Sequence, residues 1–412
     1  MKLWVGVDWG HSRCGIAVES EGNQTVETFF VEVNEPALAK LCARLTELAD
    51  GDEIVVGIER ATGRVVNHLV EAGFQVLCIN PKQVDRGRGL LGMSTAKDDL
   101  RDAVVLARLL RTMPDIFTAV ESRHPVMVQL KATNRFRTKL TRRRVSLANR
   151  VTELLRSSFP ALLEVVVPTA KAFVHVWRRV PSHEAALTLR PAQLKSTFSK
   201  ARIRRIGAKE ALKLLREPAP VQAPGEAEVH QLELRLLVDQ LELLNQQLDH
   251  VGRLLDEQLE ALHIEERDAG IAPTTVEVTR SMKGVGRVVT ATLIAEGVTA
   301  LLPDNLEAAR GICGVAPVTR TTGRRQQRKE GPSIRRECNK HLRAAMHSWS
   351  SAAIQKDERS KERYAAMRAR GHTHGRACRQ LADQNLKVLR AMLRDRTLYG
   401  EQTDATRGLT DR

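Results

Sequence analysis

Aromatic side chains are scarce in this chain of 412 residues, which contains two tyrosines, eight phenylalanines and four tryptophans. Proteins that bind single-stranded nucleic acid without sequence preference stack the bases on aromatic rings. The scarcity therefore argues against a base-stacking platform of that kind.

Paired cysteines and long apolar segments are also missing. The six cysteines include no Cys-x-x-Cys pair, a usage that favours free thiols in a reducing compartment over disulfides or a zinc site. No apolar run reaches the roughly 18 residues that a membrane-spanning helix needs. The start MKLWVGVDWG has the pattern of a β-strand rather than of a signal sequence. These absences predict a soluble cytoplasmic protein with no membrane partner.

Basic residues outnumber acidic ones. The chain has 65 Lys and Arg against 49 Asp and Glu, for a formal net charge of +16. An excess of this size indicates a polyanionic partner, with nucleic acid first and an anionic membrane surface second. The length allows two or three domains.

The N-terminal part alternates between strand and helix patterns. A hairpin is predicted from Trp4–Trp9 and Cys14–Val18, with Gly10–Arg13 as its turn. The elements predicted after it are helix 35–48, strand 53–58, helix 63–72, strand 75–79 and helix 96–110. This order predicts a mixed α/β domain with an RNase H-like (RuvC-like) sheet.

The remainder is predicted to be helical. The stretch 131–150, within a helix at about 126–158, contains eight Lys or Arg and no acid, which favours contact with a nucleic-acid backbone over an ordinary solvated face. An apolar heptad further on predicts a coiled-coil seam, whose partner is the basic helix or another protomer. We favour an intramolecular pair that also takes part in dimerisation. The seam consists of Leu234, Leu237, Leu241, Leu244, Leu248, Val251, Leu255 and Leu262.

A glycine-containing turn and a second basic segment follow the seam. Residues 280–297 have the pattern of a helix-hairpin-helix element, in which Gly284 and Gly286 permit a tight turn whose amides can meet a phosphate. An ordinary glycine turn is the alternative. The segment 318–343 carries nine Lys or Arg against two Glu.

The predicted domain organisation has four parts. They are an RNase H-like catalytic domain (1–125), a basic helix with a helical insert and coiled coil (126–265), a helical C-terminal domain (266–355) and a basic helical tail (356–412). Within the second part, Pro218–Gly225 is predicted to be a linker.

Four carboxylates lie where predicted strands end or a predicted helix begins. Asp8 and Glu59 end apolar strands, and Asp99 and Asp102 open a helix. Acids in such places are costly unless they pair or bind cations. Singly, each also fits a turn, a helix cap or a first-turn position favoured by the helix dipole. As a set they predict a magnesium site for phosphoryl chemistry, in which Asp98 is an alternative to Asp99.

Two further patterns permit other chemistry. Residues Val5–Val18 resemble the first phosphate loop of the actin-like ATPases and sugar kinases, although the later glycines fall in the basic hairpin rather than in the adenosine motif which that fold needs. His372, His374 and Cys378 have a spacing that could hold a metal. Without a fourth ligand nearby, they are interpreted as exposed polar residues.

Several motifs together resemble one family over nearly the whole chain. They are Val7-Asp8, Gly57-Ile-Glu59, Lys97-Asp-Asp-Leu-Arg-Asp-Ala103, Met282–Gly286, Gly314–Gly323 and Cys338–Arg343. The chain resembles the DEDD-type transposases of the insertion sequence 110 family, a group that includes Piv-type DNA invertases and bridge-RNA-guided recombinases. The Lys-x-Asp-x-x-Asp-Ala pattern of that family selects Asp99 and Asp102 over Asp98.

The resemblance implies a transposase or site-specific recombinase that cuts and rejoins DNA. The four acids would hold Mg²⁺ or Mn²⁺, and a hydroxyl nucleophile in the C-terminal domain would hold the DNA end covalently, the two meeting between protomers. The family usually has Ser-Gly where this chain has Thr322-Gly323. Thr322 is the expected nucleophile. The alternatives are Thr321, Ser333 or an impaired copy.

The same resemblance implies the partners. DNA is the substrate, a structured guide RNA from the element is expected to specify the sites by base pairing, and a dimer or tetramer is expected in the bacterial cytoplasm, associated with the nucleoid. A Piv-like invertase and a non-catalytic nucleic-acid-binding derivative are alternatives. The residues expected to contact nucleic acid are Arg135, Arg142, Arg143, Arg144, Gly284, Gly286, Arg324, Arg325, Arg335 and Arg336.

Overall fold

The computed structural model describes residues 2–22, 25–90, 98–120, 124–223, 225–301, 305–318, 333–335 and 337–400. Contacts divide the chain into two compact units, Met1–His124 and Pro125–Arg412. The finer division into four domains stays a prediction. In the ranges that the structure describes, no helix is long and apolar enough to cross a membrane.

A six-stranded mixed sheet forms the centre of the first unit. Its strands are β1 (Lys2–Asp8), β2 (Arg13–Glu19), β3 (Thr25–Glu32), β4 (Glu53–Ile58), β5 (Gln75–Cys78) and β6 (Thr118–Ala119). The strand order is β3-β2-β1-β4-β5-β6. β2 is antiparallel to both neighbours, whereas β1, β4 and β5 run parallel. An antiparallel hairpin continued by parallel strands in this order is the RNase H-like arrangement, so the predicted fold class is confirmed.

Helices cover both faces of this sheet, which is why its central strands are apolar on both sides. The helices are α1 (Glu35–Ala49), α2 (Arg64–Glu71), α3 (Pro81–Leu90) and α4 (Asp99–Thr112), with a short 3-10 helix at Pro114–Ile116. Helices α1 and α2 share a core with Val56 of β4, and α4 shares a separate core with the neighbouring Val55. Gly6 lets α4 lie directly on β1, because a Cβ there would be 1.9 Å from the carbonyl oxygen of Ala103.

The edge strand β3 is absent from the sequence predictions. Only Phe29 and Val31 of this strand pack against the core, and the remaining residues are exposed or carry charge. An edge strand with one covered face dilutes the apolar pattern by which strands are recognised. Pairing with β2, rather than burial, holds it in place.

The second unit is almost entirely helical. Its first helices are α5 (Pro125–Ser158), α6 (Ala161–Val165), α7 (Ala172–Arg179), α8 (His183–Thr188), α9 (Pro191–Ala201), α10 (Ala208–Leu215) and α11 (Glu226–Asp268). The rest are α12 (Thr275–Ser281), α13 (Arg287–Leu301), α14 (Leu306–Ile312), α15 (Lys340–Lys356), α16 (Glu358–Ala369) and α17 (His374–Asp395), with the short strands β7 (Pro317–Val318) and β8 (Ser333–Ile334). Helices α7 to α10 lie at 165–225, where the sequence predicts the helical insert.

The long helices α5 and α11 pair in antiparallel orientation. Hydrogen bonds join Thr133 to Gln258 at 3.0 Å, Arg144 to Asn245 at 2.6 Å and Arg150 to Glu233 at 3.0 Å, so positions rise along α5 as they fall along α11. The predicted seam faces α5. Its buried members are Leu234, Leu237, Leu241, Val251, Leu255 and Leu262. The intramolecular part of the coiled-coil prediction is confirmed.

The predicted helix-hairpin-helix consists of α12, a turn at Met282–Gly286 and α13. Gly284 has a φ of +81°, and a Cβ on it would lie 2.6 Å from the backbone nitrogen of Ala353 in α15. The indole nitrogen of Trp349 donates to the carbonyl of Lys283 at 3.0 Å. Glycine is therefore required here for packing of the turn on α15.

A buried carboxylate, Glu296 of α13, joins three parts of the second unit. Its side chain is fully buried and accepts hydrogen bonds from Arg135 at 2.5 and 2.9 Å and from Asn339 at 2.9 Å, with Lys131 at 3.5 Å. Burial would raise the pKa of this carboxyl, but the bonds from Arg135 and Asn339 and the nearby positive charges outweigh burial and lower it.

Replacing Glu296 by alanine should lower the free energy of unfolding by about 2–3 kcal/mol, because buried donors and cations lose their partner. Arg135 is half exposed, so water relieves part of this cost. Urea unfolding followed by circular dichroism measures the difference. Glu260→Ala, at an exposed site on α11, is the control and should stay within about 0.5 kcal/mol of the parent. Equal effects of the two changes would contradict a structural role for Glu296.

Candidate active site

Two of the predicted acids lie at the carboxyl ends of two adjacent central strands. They therefore lie together where these strands end, which we call this edge of the sheet. β1 and β4 are parallel neighbours, with Val7 opposite Ile58. Asp8 and Glu59 are the next residues along these strands, and both are partly buried. The shared edge follows directly from the parallel pairing.

The first turn of α4 brings the other two acids to the same edge. Asp99 is the first residue of α4, and Asp102, one turn later, is only 7% exposed. Gly15 is the partner of Asp8 across the β1–β2 hairpin. A Cβ on Gly15 would lie 2.5 Å from the carbonyl oxygen of Asp99. The start of α4 therefore contacts the hairpin beside Asp8.

The thiol of Cys14, buried in β2, lies within electrostatic range of acids from both elements. Burial raises its pKa, and the charges of Asp8 and Asp99 raise it further, against a hydrogen bond with the backbone of Gly10. Asp98, in contrast, is the exposed N-cap of α4 and lies 3.9 Å from Arg101. Of the two neighbouring acids, Asp99 is the one that lies near Asp8.

Two arginines face the acids of α4. Arg88 of α3 contacts Asp102 at 2.5 Å, and both side chains are nearly buried. Arg13 lies 4.0 Å from Asp99, at a more exposed position. The sequence predictions missed Arg88, because nothing in the composition of α3 indicates which of its basic residues points inward.

The residues that follow Asp8 and Glu59 also contact each other. The guanidinium of Arg60 lies 4.0 Å from the ring centroid of Trp9, a cation–π arrangement. This stack links the ends of β1 and β4 one residue beyond the acids. It therefore helps to hold Asp8 and Glu59 side by side.

The donor set fits a divalent cation such as Mg²⁺. It consists of carboxylate oxygens, the ligands that this ion prefers, and it comes from three rigid elements. In the part of the chain that the structure describes, no three of the four acids bring their carboxylate oxygens within 4.8 Å of one another.

The predicted nucleophile lies outside the described residues. This applies to Thr322 and its alternative Thr321, and to the predicted contact residues Arg324, Arg325 and Arg336. Arg335 is described and partly buried, with its Nε lacking a hydrogen-bond partner among the described residues.

The predicted nucleic-acid contacts on α5 fall into two groups. Arg142 and Arg143 are exposed. Arg135 is engaged by Glu296, and Arg144 donates to Asn245 at 2.6 Å and to the carbonyl of Thr169 at 2.7 Å. A nucleic acid would therefore meet Arg142 and Arg143 directly, but it would have to compete for the other two.

A basic cleft of about 490 Å³ opens between α5, α11 and the start of α13. Its lining includes the basic Arg137, Arg144, Lys171 and Arg287, together with Gly286 and the acidic Asp249, which pairs with Lys171. Burial lowers the pKa of Arg137, and the charge of Arg287 lowers it further. Positive charges that converge beside a helix N-terminus suit an anionic partner such as a phosphate.

Comparison with known proteins identifies relatives over most of the chain. Residues 5–160 match the IS110 DEDD family described as "Transposase", and residues 276–365 match "Transposase IS116/IS110/IS902 family". A candidate transposase of Sinorhizobium fredii, y4uE, is 37% identical over 54% of this chain, which spans 62% of that protein. The uncharacterized 43.6 kDa protein of insertion element IS110 from Streptomyces coelicolor is 30% identical over 75% of this chain and 74% of its own length.

Among solved structures, Thermus thermophilus RuvC in complex with a Holliday junction is similar over 29% of this chain and 98% of its own, at 20% identity and a TM-score of 0.23. The strand order, not this superposition, identifies the fold. The two family matches are to transposases, so they argue against the ATPase or kinase alternative. The chain belongs to the IS110 family of DEDD transposases.

Proposed function

We propose that this transposase cuts and rejoins DNA at the acidic site of its first unit, with Mg²⁺ or Mn²⁺ as cofactor. The observation that carries the proposal is the placement of Asp8, Glu59, Asp99 and Asp102 at one sheet edge, on two strand ends and one helix start. A purely structural role would not require four carboxylates at this edge.

The rigid elements supply the positioning that phosphoryl transfer needs. Asp8 is fixed by its pairing with Gly15, and Asp102 is fixed by burial in the first turn of α4. When bound, a divalent cation would stabilise the charge that develops on the phosphate and on the leaving oxygen. Arg88 and Arg13 face the acids of α4 and would balance part of their negative charge.

For the nucleophile we propose the hydroxyl of Thr322, by the position of this residue in the family motif. Its oxygen would attack the scissile phosphorus and form a phosphoester, and the strand end on the other side of the broken bond would leave as a hydroxyl. Reversal of the step with a different DNA end would join the new strands and release the threonine.

A structured RNA is proposed as the guide that selects donor and target DNA. The exposed Arg142 and Arg143 and the cleft beside Gly286 would supply positive charge for contacts to phosphates. The protein would then read the backbone and shape while base pairing reads the sequence. Such a complex would act on the chromosome, at the bacterial nucleoid.

A homo-oligomer is proposed because α11 carries a second apolar stripe, away from α5. Val229, Leu232, Leu236 and Leu243 are 62%, 58%, 54% and 53% exposed. Their spacing of three, four and seven residues is that of a coiled-coil seam. Cover by another protomer would remove this stripe from water.

The test of the proposed function is reconstitution with the purified full-length protein, its co-purified RNA and DNA that carries the flanks of its own gene. Rejoined DNA strands should form with Mg²⁺, disappear with EDTA and return when excess Mg²⁺ or Mn²⁺ is added. Products that form equally in EDTA would contradict the metal-dependent site.

The same reaction separates the finer alternatives. Pre-treatment with ribonuclease should stop strand exchange if RNA guides it, and sequencing of the co-purified RNA should return a segment next to the gene. Inversion of a flanked segment without transfer to a second DNA would instead identify an invertase. DNA binding without cleavage in any metal would identify a non-catalytic derivative.

A further inference from the structure

Two histidines and a cysteine meet in the second unit, far along the chain from the acidic site. His347 lies on α15, and His374 and Cys378 lie on α17. One ligand atom of each residue lies within 4.8 Å of the ligand atoms of the other two. His347, which comes from a different helix, takes the place of His372 in the sequence pattern, because His372 is not part of the cluster.

The pair on α17 already has the separation of two zinc ligands. His374 and Cys378 are four residues apart, which puts them on one helix face, and the Nε2 atom of His374 lies 3.6 Å from the Sγ atom of Cys378. Bond lengths of about 2.1 Å to nitrogen and 2.3 Å to sulfur in a tetrahedron place such atoms about 3.6 Å apart. Because Nδ1 of His374 lies as close to Sγ, at 3.7 Å, an ion would bridge this pair after a turn of the imidazole ring, without rearrangement of the helix.

A hydrogen bond prepares His374 for this role. The hydroxyl of Tyr364, on α16, lies 2.8 Å from Nδ1 of His374. Metal-binding histidines commonly donate their second ring N–H to such a partner, which fixes the tautomer and the ring orientation. With the proton on Nδ1, Nε2 carries the lone pair that a metal can accept.

We propose that His347, His374 and Cys378 form a zinc-binding site that fastens α17 to α15. Two imidazoles and a thiolate are borderline and soft donors, which select zinc over magnesium. A water molecule would take the fourth position. Cys378 is only 1% exposed, and burial raises its pKa; formation of the zinc–sulfur bond would release its thiol proton to solvent.

This site has a structural consequence for the transposase domain. Helix α15 begins at Lys340, shortly after the segment that contains Thr322, and α17 supplies Leu386 and Leu389 to the core around Trp349. A metal that joins α15 to α17 would therefore stabilise the packing of these two helices without taking part in the reaction.

The test uses untagged full-length protein that is purified without chelator and then exchanged against Co²⁺. Wild-type protein should contain about one zinc ion per chain by mass spectrometry. The cobalt form should show a thiolate-to-cobalt charge-transfer band and the visible absorption of a tetrahedral site. His347→Ala, at an exposed position, and Cys378→Ser should reduce the metal content to background, and the latter should abolish the charge-transfer band.

The matched control is His372→Ala. His372 lies close by in sequence, but its Nδ1 pairs with Gln380 at 2.9 Å and it is not part of the cluster, so this variant should keep its zinc. Asp8→Asn should also keep it, which separates this site from the acidic one. Wild-type protein without zinc or the cobalt band, or equal zinc in folded His347→Ala, would overturn the proposal.

Discussion

Replacing Asp8 by asparagine is expected to reduce metal-dependent strand exchange by at least about 1,000-fold, equivalent to roughly 4 kcal/mol of transition-state stabilisation. Asparagine keeps the size of the side chain but removes the negative charge that a divalent cation requires. Because Asp8 pairs with Gly15 through its backbone, the sheet should fold unchanged. Quantification of rejoined DNA under single-turnover conditions measures the loss.

The matched control for this prediction is Asp98→Asn on α4. Asp98 is a carboxylate of the same helix start, but it is exposed and makes no side-chain cap. Strand exchange in this variant should stay within a few-fold of the parent, whereas Asp99→Asn should resemble Asp8→Asn. Normal exchange by Asp8→Asn, or equal losses at Asp98 and Asp99, would contradict the assigned site.

Replacing Thr322 by alanine is expected to abolish covalent capture of DNA by the protein while RNA binding stays intact. Alanine lacks the hydroxyl that would form the phosphoester, so the covalent bond cannot form at this position. Denaturing gel electrophoresis of the protein with labelled DNA detects the adduct, and filter binding measures the RNA affinity.

Two further substitutions, one at the same position and one at its neighbour, test which hydroxyl is the nucleophile. Thr322→Ser restores the residue usual in the family and removes a methyl group next to the attacking oxygen, so capture should be equal or faster. Thr321→Ala should leave capture unchanged. A normal adduct in Thr322→Ala, together with its loss in Thr321→Ala, would transfer the role to the neighbour. An adduct in both would favour Ser333.

The fold of the first unit was largely predictable because its central strands are buried on both faces. The hairpin through Trp4–Trp9 and Cys14–Val18, and the strand 53–58, are short apolar runs bounded by polar or turn residues, and this length favours strands over helices. The strand β3 had no such pattern, since only one of its faces is covered. Its position at the edge of the sheet is a tertiary property.

The acidic site was predictable in part. The residues Asp8 and Glu59 follow apolar strands, and the rule that parallel strands end at one edge places them together. Their basic neighbour Arg88 was not predictable, because it reaches Asp102 from another helix. The contact of Arg88 with Asp102 depends on how α3 turns against α4, which no local pattern encodes.

For the long helices too, the sequence predicted an interface but left its partner open. The heptad of α11 indicated a seam, and the intramolecular choice of α5 became clear only from the antiparallel contacts of Asn245 and Gln258 with that helix. In the same way, the sequence around Gly284 resembles a phosphate-binding turn. In the structure, the missing side chain of Gly284 allows close packing against the backbone of Ala353.

Iron cleavage mapping tests the central claim most directly, namely that the four acids form one divalent metal site. In this measurement Fe²⁺ replaces Mg²⁺ in the full-length protein, and ascorbate with peroxide generates radicals that cut the backbone next to the bound ion. The account predicts cuts near residues 8, 59 and 99–102 that excess Mg²⁺ suppresses and that Asp99→Asn, but not Asp98→Asn, removes. Cuts that Mg²⁺ does not suppress, or none at these three segments, would contradict it.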